Sequence, residues 1–169
     1  MTADDAARSA PSPLRARSWQ VAERRSDVPQ TLIAGFLVLH GLITTAIGFG
    51  GAATPAGPGM PNPGWLSWWP APLGRSWLLD ALHLGAGAAV AGGLLWIAAG
   101  LILVAAGLGL FGVPVLHGAL QMLALTGAGL GLLALALYFH PYYVLGTLIN
   151  LAILVLVSGA LRPAQQLGG

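Results

Sequence analysis

Four histidines, His40, His83, His117 and His140, have the widest chemistry in this chain. Imidazole ligates metals and haem iron and moves protons near neutral pH. His83 follows Asp80 by three residues, a spacing that shares one helical face, and His140 closes a later apolar segment near the same level. Asp80, His83 and His140 are therefore a candidate metal set of one carboxylate and two imidazoles. The alternative is three interfacial residues facing water and headgroups. His40 and His117 make a poor haem pair, because at 1.5 Å rise per residue they differ in depth by roughly 10 Å.

A second constellation is polar and uncharged. His40, Thr44, Thr45, Gln121, Thr126, Thr147 and Asn150 all fall deep inside apolar segments. A polar group left unsatisfied in hydrocarbon costs several kcal/mol, so these side chains serve as interhelical glue or line a ligand site. His40 and Asn150 reach similar depth from opposite directions. They are expected to turn inward and meet, directly or through Thr44, Thr147 or one water. His40, Asn150, Thr44 and Thr147 are accordingly the candidate cofactor-binding residues, although no cofactor is indicated.

Other chemistries lack their residues. There is no cysteine, which removes thiolate metal sites, iron–sulfur clusters and disulfides. No Ser-His-Asp arrangement or paired carboxylates occur. No acid lies deep in an apolar segment, as an ion-coupled transporter usually needs, and no repeated Arg marks a voltage sensor. No Lys-Ser or Lys-Thr follows the glycines, so none forms a phosphate loop.

The elements that must position these residues belong in a membrane. Of 169 residues, 56% are apolar and 7% charged, with mean hydropathy +0.79, whereas soluble domains carry about 25% charged residues. Between Val28 and Leu161 the only charges are Arg75 and Asp80. Residues 1–28 read as a disordered arm. Spans are expected over 31–50, 88–110, 115–139 and 142–161, each near the length that crosses hydrocarbon. Prolines and glycines break the chain between them, and 164–169 form a tail. The loop 51–87, with Trp65, Trp68, Trp69 and Trp77, is expected to lie on the outer surface. Within it a short helix near 77–84 is separated from the second span at the glycine-rich stretch 85–93; one long helix over 76–110 is the alternative. Arg75 and Asp80, five apart, have poor spacing for a helical ion pair, so Arg75 is expected to snorkel to headgroups.

Arg15, Arg17, Arg24, Arg25 and Arg162 on one side against Arg75 on the other put both termini in the cytoplasm of a multi-pass plasma-membrane protein. The basic arm has no interleaved aromatic surface for nucleic acid. Gly93, Gly100 and Gly107 recur every seven residues, Gly41 and Gly48 lie seven apart, and Gly127 and Gly131 make a small-xxx-small pair. Such faces serve packing within the bundle or self-association.

Leu39-His40-Gly41-Leu42-Ile43, Trp77-Leu78-Leu79, Leu94-Leu95-Trp96 and Gly146-Thr147-Leu148-Ile149-Asn150 give the chain a likeness over most of 31–161. There it resembles small four-span bacterial membrane proteins, and its layout is similar to DoxX-type four-helix proteins. The charged residue that the latter place early in span one is missing here. Asp80, His83 and His140 are not part of the pattern. The resemblance implies a fold and no activity.

The expectation is an all-α, integral-membrane, four-helix up-down bundle. It is non-enzymatic, partnered by the lipid bilayer, and self-associated or part of a larger membrane complex. The alternatives are a haem- or quinone-binding redox protein, with the group near His83 and His140 or near His40, and an oligomeric transporter or channel.

Overall fold

The computed structural model describes residues 13–53 and 61–159, with side chains from Pro29 onward. Among these residues there is no strand. The helices are α1 (Pro13–Ala53), α2 (Trp77–Ala81), α3 (Gly85–Leu110), α4 (Pro114–His117), α5 (Leu120–Leu137) and α6 (Val144–Gly159). Single 3-10 turns occupy Gly64–Leu66 and Pro141–Tyr143. Four stretches are long and apolar enough to cross a membrane: Pro29–Ala53, Gly85–Leu110, Leu120–Leu137 and Pro141–Gly159.

The backbone is helical from Pro13, inside the expected arm; residues 1–12, the loop stretch 54–60 and the tail from 160 lie outside those described. The second span begins at Gly85, the first residue of the glycine-rich stretch, three residues before the expected Ala88. The break comes at Leu82–Leu84, where His83 takes a left-handed φ of 56°. Gly92 and Gly93 stay helical because other elements occupy the space above them. A Cβ on Gly93 would stand 2.7 Å from Gly48 O, and one on Gly92 would run into the Tyr138 ring. Packing here outweighs glycine's low helix propensity of about 1 kcal/mol. The third span is also divided. Pro114 opens α4, as its fixed φ favours, but Gly118 and Ala119 separate that single turn from α5.

The long helices pack in chain order, α1 on α3, α3 on α5 and α5 on α6. Contacts run in opposite directions along each pair. Gly41 meets Gly100 where Gly48 meets Gly93, and Leu103 meets Gly127 where Gly92 meets Tyr138. The α1–α3 seam is close enough that a Cβ on Gly41 would lie 2.6 Å from Gly100 O. The seven-residue glycine repeats are thus occupied inside the chain, where close backbone approach lets dispersion hold helices together.

α1 and α6 scarcely touch. The bundle does not close on itself. A cleft is left between the first and last long helices, with α3 and α5 as its floor.

Candidate functional site

The half of this cleft nearer the long loop is a cavity of about 210 Å³. α1 contributes His40, Ile43, Thr44 and Ile47, successive turns of one helical face. From the other side α6 contributes Gly146, Ile149 and Asn150, and Trp69, Trp96 and Tyr143 complete the aromatic end.

The loop places Trp69. Asn62 donates from Nδ2 to the Trp69 and Ala71 carbonyls at 3.1 and 3.0 Å and accepts from Leu73 N–H at 3.0 Å. That clamp folds Leu66, Ala71 and Leu73 onto the helix ends as buried core. Ser76 ties the next segment. Its hydroxyl caps α2 by accepting from Leu79 N–H at 3.0 Å and donates to Leu137 O at 2.5 Å. Trp65, Trp68 and Trp77 are exposed. Trp69 departs from them: it turns inward, its ring 6.4 Å from Tyr143, which lies 5.5 Å from Trp96.

Three residues of the cavity wall each carry a polar atom that is closed off from solvent-sized space: His40 Nε2, Asn150 Oδ1 and Trp69 Nε1. His40 lies beside the Asn150 amide, and Trp69 beside the Tyr143 hydroxyl, so each of these atoms has a polar neighbour within reach of a small side-chain shift. Asn150 is 2% exposed, and its Nδ2 is spent on Gly146 O at 2.8 Å. Thr44 donates to His40 O at 2.8 Å, which leaves its oxygen able only to accept. An unsatisfied buried group costs about 1–3 kcal/mol, which favours the small shifts that join His40 to Asn150 and Trp69 to Tyr143.

Of the candidate residues, His40, Thr44 and Asn150 come together here. Thr147 does not reach the wall; its hydroxyl donates to Tyr143 O at 3.2 Å. Asp80, His83 and His140 are not assembled, and no group of three His, Cys, Asp or Glu able to hold a metal exists among the described residues. The physical reason is local. α2 ends at Ala81, so His83 has left its helical face. His140 is engaged elsewhere, its Nδ1 accepting from Tyr142 N–H at 3.4 Å. Asp80 is held by Arg75 at 2.9 Å. That ion pair corrects the expectation drawn from helical spacing. Arg75 precedes the extended N-cap Ser76, so the chain bends back and carries the guanidinium to the carboxylate. His117 sits at the far end, 3.1 Å from Gly109 O.

No family model, curated protein or solved structure matches the chain.

The rest of the cleft is a groove of about 570 Å³ whose walls include Ile33 and Leu37 from α1 and Ile153, Leu156 and Val157 from α6. Its one polar side chain, Gln121, donates to Val157 O at 3.5 Å. Trp69, Trp96 and Tyr143 were not legible as site residues. Trp69 is adjacent to Trp68 and of the same type, and only the Asn62 clamp separates their fates.

Proposed function

We propose that this chain is a multi-pass plasma-membrane protein, its four spans alternating up and down with both ends in the cytoplasm, and that it holds a small molecule between its first and last spans without transforming it. The lipid bilayer is its solvent and first partner. Four candidate spans and the bias of arginine toward the chain ends support the placement. The observation that carries the binding role is the cavity itself, whose wall brings His40, Thr44 and Asn150 together beside Trp69, Trp96 and Tyr143. A non-catalytic role is favoured because His40 is the one imidazole on the wall, and no carboxylate or thiol lines the cavity with it.

Native mass spectrometry of the protein in lipid nanodiscs tests the binding role. A retained small molecule, lost in Asn150→Leu while the fold persists, is expected. A spectrum with bulk lipid only, unchanged by Asn150→Leu, overturns the reading, and a Soret band would replace it with a redox role. For orientation, a reporter fused after Leu110 should report cytoplasm and one inserted near Pro58 the exterior.

A further inference from the structure

α1 and α6 scarcely touch, and the two ends of the cleft between them are held differently. At the end far from the loop each helix is tied to its own floor helix. Gln30 of α1 donates to Leu110 O of α3 at 3.0 Å, and Gln121 of α5 donates to Val157 O of α6 at 3.5 Å. The groove there is walled by residues of the four long helices alone. At the other end the loop is seated on α1. A Cβ on Gly50 would stand 2.6 Å from Leu73 Cδ1 and 2.7 Å from Leu66 Cδ1, and one on Gly74, φ 67°, would stand 2.7 Å from Gly51 O. Glycine at these positions lets two loop leucines and the loop backbone lie directly on the helix. From that seat Trp69 reaches the turn that opens α6, its ring 6.4 Å from Tyr143 and beside the Tyr143 hydroxyl.

We propose that the loop is a strap joining α1 to α6 through Trp69 and Tyr143, so that α6 pivots at its loop end and the cleft widens or narrows at its far end. The strap is anchored on both sides of Trp69. Asn62 holds the Trp69 and Ala71 carbonyls before the crossing, and after it Ser76 and Trp77 donate to Leu137 O and Ala136 O at 2.5 and 2.7 Å. α6 has little else to fix it. Of the four spans it is the least buried, 11% against 33–44% for the others, and it packs on α5 alone among the long helices. A helix fixed at one end swings at the other. Val144–Gly159 is about 24 Å long at 1.5 Å per residue, so a tilt of about 10° moves its far end by about 4 Å. The cleft already tapers in this sense, from about 570 Å³ at the far end to about 210 Å³ under the strap. The strap concerns the shape of the cleft and holds whether or not a molecule is retained in it.

Distances between paired spin labels on the full chain in nanodiscs test the strap. The chain has no cysteine, so labelled cysteines can be introduced in pairs without background. Phe49 with Leu148 reports the loop end and Leu32 with Val155 the far end; all four are exposed and line neither part of the cleft. Leu39 with Leu101, exposed on α1 and α3, is the fixed reference. A narrow distance distribution is expected for the loop-end and reference pairs and a broad one for the far-end pair. Trp69→Ala should broaden the loop-end distribution to the width of the far-end one and leave the reference narrow. Asn62→Ala should do the same by releasing Trp69, and it decides the matter where Trp69→Ala does not fold. Trp68→Ala, one residue away and exposed, should change none of the three.

Equal widths for the loop-end and far-end pairs in the parent overturn the pivot. A loop-end distribution that stays narrow in Trp69→Ala and Asn62→Ala overturns the strap and leaves packing on α5 as what holds α6. Broadening of the reference pair, or equal broadening in Trp68→Ala, assigns the change to general loosening and overturns it as well. Native mass spectra of the same samples read the binding role separately, so its failure and that of the strap are distinguishable.

Discussion

Asn150 rests its side-chain amide against Gly131 of α5: a Cβ on Gly131 would stand 2.9 Å from Asn150 Oδ1 and 3.2 Å from its Nδ2. What would yield is the end of one side chain, not backbone. Gly131→Ala should therefore fold, with alanine's helix preference of about 0.5–1 kcal/mol offsetting the local strain. A shift of the amide would disturb its bond to Gly146 O and reshape the cavity wall. The expected outcome is a melting temperature close to the parent's with loss of the retained molecule, measured by thermal denaturation and native mass spectrometry on the same preparation.

The α1–α3 seam should behave in the opposite way. A Cβ on Gly100 would meet Gly41 O at 2.5 Å and Thr45 N at 2.6 Å, and backbone cannot step aside. Gly100→Val should cost at least the roughly 1–3 kcal/mol typical of overpacking. Gly129, above which nothing lies within 4 Å, is the control: Gly129→Ala should leave stability unchanged or raised. Denaturation in mild detergent ranks the two.

Ser76 should matter more than the ion pair beside it. Ser76→Ala removes both the α2 cap and the bond to Leu137 O, with an expected loss of about 1–2 kcal/mol. Asp80→Asn weakens a pair whose side chains are 35% and 36% exposed, where solvent screening limits such pairs to about 0.2–1 kcal/mol. Equal losses, or a larger one for Asp80→Asn, would contradict this ranking.

Tyr138 makes stability fall at alkaline pH. Burial, then the Asp80 carboxylate, push its hydroxyl above the ordinary tyrosine range, against a smaller opposing effect of its backbone hydrogen bonding. The phenol also donates to Ala88 O. The folded protein holds this proton more tightly than the unfolded chain does. Its contribution is therefore complete below the unfolded tyrosine value of about 10 and is lost as pH rises above it. Tyr138→Phe should be less stable than the parent at neutral pH, and the gap should narrow above pH about 10. A gap that stays constant or widens with pH would remove Tyr138 as the cause.

Sequence alone determined the helical class and the approximate position of the four apolar segments. Hydrocarbon-length runs of apolar residues, prolines and the near-absence of internal charge act locally, and each can be read without knowing its neighbours in space. That His40 and Asn150 fall at the same level of their helices was legible for the same reason, since rise per residue is a property of one helix. Tertiary structure decided the rest. Helix through the whole glycine-rich stretch from Gly85 depended on α1 and Tyr138 filling the space above Gly92 and Gly93. The Arg75–Asp80 pair depended on a bend before Ser76, and Trp69 turning in while Trp68 faces out depended on Asn62. The open cleft depended on α6 packing against α5 and not against α1. Hydropathy assigns a residue to a nonpolar environment, but protein and lipid satisfy it equally, so only the packed structure distinguishes a side chain on a cavity from one facing the bilayer.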